Sequence, residues 1–339
     1  MSDSLFFVYK NKIQKFRIVV NFVFIILSIW VGIEFYYFIN TLYSDKPFQR
    51  PPGVEAYLPI SSLMNLRYLL ETGNIHMAHP FGLMFLIGVF IISFIFPKSF
   101  CGWVCPFGFL GEMLIFIRKK FLKLDLKIPF VLDYLMRSFK YFILAFFVYV
   151  IFFVMDLQSL KEFLDSPYNK IADIKMYYFF AEISKTALIV IIILFILSFL
   201  FNFFWCRYLC PYGALLFIVS LFSPFRIKRN VSACIKCSKC SKNCPHNINV
   251  DKKNFVFSDD CSFCLMCVSS CPKKDILDIK TVYGKRRIAP LFVGVFIIFT
   301  FLFIKYFAIY KGLWNNNITI DEYRILFQNK DKFSHPGRY

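Results

Sequence analysis

Eight of the twelve cysteines stand in two runs of one spacing, Cys234-x2-Cys237-x2-Cys240-x3-Cys244-Pro245 and Cys261-x2-Cys264-x2-Cys267-x3-Cys271-Pro272, offset by 27 residues. No other feature limits the local fold so tightly. Three thiolates on one tight loop reach three corners of a cubane cluster only if two residues separate each pair. The fourth corner must come from elsewhere, and in the bacterial two-cluster pattern the fourth cysteine of each run ligates the other cluster. That reading gives Cys234, Cys237, Cys240 and Cys271 to one [4Fe–4S] cluster, and Cys261, Cys264, Cys267 and Cys244 to a second. Proline after the fourth cysteine fixes φ and turns the chain away. Two readings compete. Structural zinc ordinarily uses two separated cysteine pairs, and disulfides belong to oxidising compartments.

The rest of the chain is strongly apolar. Of 339 residues 58% are hydrophobic and 18% charged, against about 45–50% and about 25% in a soluble globular chain. That composition excludes a disordered chain, a disulfide mini-protein and most soluble enzymes. Five segments, about 18–39, 80–97, 139–155, 186–205 and 289–309, have the length and apolarity to span a bilayer. Two shorter stretches, 106–117 and 211–225, each open with proline and read as interfacial helices. Their basic ends (Arg118, Lys119, Lys120; Arg226, Lys228, Arg229) are expected at the headgroups. Lys10, Lys12, Lys15 and Arg17 precede the first segment, which is read as an uncleaved anchor because no small-x-small site follows it.

Charge gives orientation. The net charge is +19, and most of it falls in residues 1–17, 98–138 and 206–289, which alternate with near-neutral loops. The positive-inside rule then predicts five spans, with the N-terminus and the cysteine runs cytoplasmic and the C-terminus periplasmic, in a bacterial inner membrane. The basic bias is thus mainly a topology signal, and no nucleic-acid motif accompanies it.

The remaining four cysteines form a second motif, Cys101-x3-Cys105-Pro106-Phe107-Gly108 and Cys206-x3-Cys210-Pro211-Tyr212-Gly213. Each follows a span and leads into a short apolar helix, a repeat in parallel orientation. Residues i and i+4 share a helix face, so the two motifs together can offer four sulfurs to a third [4Fe–4S] cluster. Redox-active thiols that meet a quinone or a metal ion, and structural unliganded cysteines, are the alternatives.

These paired CxxxCP motifs at span ends, followed by a tandem ferredoxin insert, resemble the membrane polyferredoxin family of NapH, NosR and CcoG over roughly residues 80–280. The stretch 50–61 and His79-Pro80 are similar to NapH-like members known only as 4Fe–4S binding proteins. The resemblance implies electron transfer between the quinone pool, the clusters and a partner redox protein. It makes a quinol dehydrogenase-type oxidoreductase subunit the leading reading. A copper reductase or oxidase-assembly factor using the CxxxCP thiols, and a non-catalytic electron-wire subunit, are the rivals. The chain departs from NapH in its fifth apolar segment, from CcoG in lacking an immunoglobulin-like domain, and from NosR in lacking a flavin-binding domain.

Smaller features were weighed against plainer roles. Glu34 lies inside the first segment, where an acid is costly and is read as a candidate for a quinol or proton role, yet it is near enough the outer end to reach headgroups. His76 and His79 precede the second segment on the outer side and are read as proton acceptors, half a metal site, or loop caps. His335 falls on the same side. Arg207 and Trp103 sit inside the CxxxC loops, where a cation would raise a cluster's potential and attract an anionic quinone intermediate, and snorkelling is the simpler account. Lys236, Lys239 and Lys242 interleave the first ferredoxin run and either steer an acidic donor or form a solvated surface. The expected architecture is an all-α polytopic membrane protein of about five transmembrane helices with an inserted α+β ferredoxin-like domain. Its parts are 1–205 (spans one to four), 206–230 (second CxxxCP motif and interfacial helix), 231–285 (ferredoxin), 289–309 (fifth span) and 310–339 (tail).

Overall fold

The computed structural model describes residues 11–122, 126, 128–273, 275–282 and 286–333; Lys10 and His335 lie outside them. The chain is mostly helical. Three helices are long and apolar enough to cross a membrane: Lys12–Thr41, Val131–Val154 and Pro290–Tyr310. Their outward residues are large and apolar, with Ile26 62% and Phe299 63% exposed. Such a surface belongs in lipid, since a soluble monomer seldom shows so large an apolar patch.

Two of the five expected spans take other forms. Segment 80–97 is the helix Pro80–Ile95, 16 residues long and so at the short edge of what crosses a bilayer. Segment 186–205 is the helix Lys185–Leu200, preceded by Ala172–Ala181 at a bend of 81°, and only together do the two pass as a span. Ser184 makes the break by accepting the N–H of Ala187 and capping the second helix. The described residues therefore hold three candidate spans, or four if the bent pair is one. The interfacial helix expected over 211–225 ends at Ser220, because Phe225 already begins a strand. Its counterpart is the helix Pro106–Ile117.

The chain divides into two compact units whose boundaries fall within the long helices. The first comprises Met1–Ile25, Val89–Leu144 and Val190–Thr300 and contains all twelve cysteines. Its sheet has order β1-β2-β3, with β1 Phe225–Arg229, β2 Leu277–Thr281 and β3 Arg287–Ile288, all antiparallel. Ile227 opposes Ile279, and both are buried. The strands β1 and β2 thus join the chain entering the cysteine runs to the chain leaving them.

The second unit comprises Ile26–Gly88, Ala145–Ile189 and Phe301–Tyr339. The helix Pro59–Thr72 closes at Gly73, which adopts φ 73°, a left-handed cap that glycine accepts without strain. That helix packs Leu63 and Met64 onto Leu160, Phe163 and Leu164 of the helix Leu157–Asp165. The amphipathic helix Ile320–Gln328 buries Tyr323 and Leu326 against Phe35, Phe38 and Ile174.

Candidate functional site

The two ferredoxin-type runs repeat in backbone as well as sequence. Lys236 and Ser238 in the first, and Phe263 and Leu265 in the second, all adopt φ between 52° and 59°. Left-handed backbone at non-glycine residues is strained and persists only when the surroundings enforce it. Here it curls each loop so that the three cysteines face one side. Each loop runs into a single helical turn, Lys239–Lys242 or Met266–Ser269. Two cavities result. One is lined by Cys234, Cys237, Cys240 and Cys271, the other by Cys244, Cys261, Cys264 and Cys267. Each therefore takes three sulfurs from one run and one from the other, the donor set of a four-thiolate cluster. Among the described residues no three His, Cys, Asp or Glu side chains converge closely enough to hold a single metal ion. The sulfurs surround a chamber rather than a point. All twelve cysteines are free of disulfides.

The CxxxCP motifs also match each other in structure. The N–H of Cys105 bonds the carbonyl of Phe100, and that of Cys210 the carbonyl of Trp205, both at 3.0 Å. Each is an i→i−5 closure, the π-type turn that recurs at functional sites. Cys105 and Cys210 then cap the helices that begin at Pro106 and Pro211. The four thiols share one environment. Burial pushes Cys206 well above its usual value, and the neighbouring Cys105, Cys210 and Cys101 raise it further. Burial and Cys101 likewise push Cys105 up to about 12, although the N–H groups of Gly108 and Phe107 pull against the rise. Gly213 also lies against both Cys210 Sγ and Lys98 Nζ, so the second motif packs beside the lysine that precedes the first.

Polar residues fasten this quartet to the second ferredoxin run. Trp103 is fully buried and donates Nε1–H to the carbonyl of Phe263 at 3.0 Å. Gly102 lies so close to Ser262 that a β-carbon there would stand 2.3 Å from the Ser262 carbonyl oxygen. Arg17, also buried, donates to the Gly102 carbonyl at 3.0 Å and pairs with Glu112. Gln14 donates to the carbonyl of Cys264 at 3.0 Å. Arg207 donates to Asp133 at 2.8 and 2.9 Å and to the carbonyl of His246. His246 stacks on Phe203, with centroids 4.1 Å apart, and meets the Ser262 hydroxyl at 2.9 Å. Burial holds this imidazole well below its usual value, so it is neutral at pH 7.

Several sequence readings change. Arg207 and Trp103 do not snorkel; both are committed to buried polar partners. Arg118 and Arg226 were expected among headgroups, yet both are buried, as is Arg17 of the basic N-terminal flank. Arg118 donates to the carbonyls of Phe199 and Leu200 and to Asn202, satisfying carbonyls that the end of the helix Lys185–Leu200 leaves open. Lys98 was overlooked. It is buried at φ 49°, donates to the carbonyl of Asp259 at 2.6 Å, and pulls the Cys101 thiol down against the burial that raises it. A buried lysine three residues before a cysteine was the available signal. Nothing local could have found Glu112, Asp133 or Asp259.

The remaining candidates lie in the second unit. Glu34 is half-buried on the helix Lys12–Thr41 and enters no ion pair among the described residues. His76 meets Asp165 at 3.1 Å. His79 is buried, with Nε2 2.7 Å from the carbonyl of Asn169 and Nδ1 3.7 Å from Glu55. The two imidazoles have separate partners. Glu55 and Asp173 both accept from the buried Arg50, at 2.9 and 2.7 Å, a charged cluster that the sequence reading left out.

Comparison with known proteins places this geometry. A family described as "4Fe-4S binding domain" matches residues 78–124 and 185–230, the two CxxxCP segments. A "4Fe-4S dicluster domain" matches residues 226–272. YccM of Escherichia coli, named for electron transport, is 37% identical over 322 residues, covering 91% of this chain and 88% of its own. The chain belongs to the NapH/NosR-like membrane polyferredoxin family. The ferredoxin-type protein NapH of Haemophilus influenzae is 27% identical over 203 residues, 56% of this chain and 66% of its own. The regulatory protein NosR of Pseudomonas aeruginosa is 29% identical over 181 residues, 50% of this chain and 23% of its own. No solved structure matches significantly. As a member of this polyferredoxin family, the chain is a multi-pass membrane protein with an iron–sulfur electron-transfer role.

Proposed function

We propose that the chain passes electrons between the quinol pool, or a cytoplasmic reductant, and a partner redox protein, as a subunit of the NapH-like quinol dehydrogenase type. Two [4Fe–4S] clusters sit in the chambers lined by Cys234, Cys237, Cys240 and Cys271, and by Cys261, Cys264, Cys267 and Cys244. A third is held by Cys101, Cys105, Cys206 and Cys210. The observation that carries the third site is the shared environment of those four thiols, each pair of which comes from a segment matching a 4Fe–4S binding family.

Each cluster supplies one-electron chemistry at a potential set by its surroundings. The residues supply those surroundings. Lys98 places a buried cation beside Cys101 and Cys210, offsetting the negative charge of a four-thiolate site. Trp103 hydrogen-bonds the CxxxC loop to the second ferredoxin loop, Gly102 lets the two backbones approach closely, and Gln14 holds that loop from the helix Lys12–Thr41. In the proposed orientation the protein lies in the bacterial inner membrane with its cysteine runs cytoplasmic and its C-terminus periplasmic.

Anaerobic purification with iron and sulfide counts tests the assignment. Three clusters give about 12 iron atoms per chain, and two give about 8. Cys206→Ser is expected to remove about four irons while leaving the ferredoxin-type EPR signals. A wild-type count near eight refutes the third site. Bleaching of cluster absorbance by an anaerobic menaquinol analogue tests the quinol; a loaded protein that does not bleach refutes that donor.

A further inference from the structure

We propose that the face around Cys237 is the docking surface for an acidic, soluble one-electron carrier, whereas the chamber at Cys264 serves the interior of the molecule. This rests on the ferredoxin reading above and goes beyond it. The two runs share spacing, backbone and predicted membrane side, so they control for one another. Their surroundings differ. Cys237 is exposed, and Lys236, Lys239 and Lys242 around it are exposed. The same chamber is lined by Arg229 and Lys273, and the exposed Lys252 follows its lining residue Asp251. Asp251 accepts from Ser238 and Ser241 at 2.6 and 2.5 Å.

In the second run Cys264 and Cys267 are buried. The residues between its cysteines are Ser262, Phe263, Leu265, Met266, Val268, Ser269 and Ser270, without a charge. Its carbonyls at Phe263 and Cys264 are taken by Trp103 and Gln14. If the lysines reported only membrane orientation, both runs would carry them. They accumulate on the run whose cysteine reaches solvent, where opposite charge on a partner raises encounter rate and fixes register. The exchange is a single electron: the carrier is oxidised as the site is reduced, or the reverse, and no atom moves.

The test uses the full, cluster-loaded chain in phosphatidylcholine nanodiscs, with labelled flavodoxin as the acidic probe and fluorescence anisotropy as the readout. Wild-type affinity is expected to fall as salt rises. The triple variant Lys236→Gln, Lys239→Gln, Lys242→Gln is expected to bind at least about tenfold more weakly at low salt, and Lys120→Gln to bind as wild type. Undiminished binding by the triple variant overturns the proposal, as does an equal loss with Lys120→Gln. If wild-type binding vanishes in phosphatidylserine nanodiscs, the lysines serve lipid and the proposal fails. Lys252→Gln with Lys273→Gln, outside the loops between the cysteines, gives the same reading should the triple variant not load. Iron per chain, measured on every sample, separates failure of the cluster assignment from failure of the docking surface.

Discussion

Gly108 and Gly213 occupy equivalent places in the two CxxxCP motifs, yet the space around them differs. A β-carbon at Gly108 would stand 2.0 Å from the carbonyl oxygen of Cys101, whereas at Gly213 the nearest atom is the Cys206 carbonyl oxygen at 3.7 Å. Backbone cannot swing aside as a side chain does, so Gly108→Ala must push the first cysteine away from the other three. We expect it to cost about 1–3 kcal/mol and to deplete the iron held by the quartet, with Gly213→Ala near wild type in melting temperature and iron content. Equal behaviour of the two variants would contradict this. Thiol reactivity in the apo chain follows from the same local detail. The N–H of Lys236 and the Arg229 side chain hold Cys234 below the usual thiol value. Burial pushes Cys261 up to about 11 and Cys244 up to about 12. At pH 7 the thiolate fraction is therefore larger at Cys234 than at Cys244 or Cys261, and iodoacetamide mapped by mass spectrometry should modify it well before either. Raising the pH toward 11 should bring Cys261 into reaction before Cys244.

Elements are held in place by charges that pattern alone misassigns. Arg17 stands at the start of the helix Lys12–Thr41 and looks, in sequence, like an orientation charge. Its partner Glu112 lies 95 residues away on the helix Pro106–Ile117, and both are buried. Removing one member of such a pair leaves the other charge stranded, at about 3–5 kcal/mol. Glu112→Gln should therefore lower the melting temperature sharply. The double change Arg17→Met with Glu112→Leu should recover much of the loss, because replacing both charges with apolar groups is often neutral. No recovery in the double variant would show that Arg17 acts chiefly through the Gly102 carbonyl. Hydropathy marks the apolar helices and spacing marks the cysteines, since both signals are local. Which arginine meets which buried partner is decided by tertiary contact, so Arg17 reads as an orientation charge, Arg118 as a headgroup charge and Arg207 as a snorkelling one. The bend before Lys185 was missed for a different reason. It falls at Glu182-Ile183-Ser184-Lys185, just before the expected segment 186–205, so hydropathy did not reach across it.

At the scale of the whole molecule, composition and cysteine spacing made the class legible: a helical membrane protein carrying ferredoxin-type runs, in the family that the comparisons establish. The count of crossings was not so legible. Hydropathy gives five apolar segments, whereas length admits three helices, or four with the bent pair. The difference rests largely on Pro80–Ile95. Sixteen residues at 1.5 Å each reach about 24 Å, short of a hydrocarbon core of about 30 Å. Local thinning or snorkelling at its ends offsets such a mismatch at modest cost, and Lys98 is unusable for that because it is buried. The positive-inside pattern nevertheless demands a crossing there, since residues 98–138 are basic and the loop before Pro80 is near neutral. An odd number of crossings puts the termini on opposite faces; an even number puts them on the same face. We expect five. Alkaline phosphatase fused after Tyr339 should then be active, and a fusion after Lys120 inactive. Inactivity at both positions in expressed, membrane-inserted protein would mean that the bent pair does not cross, and activity after Lys120 would mean that Pro80–Ile95 does not.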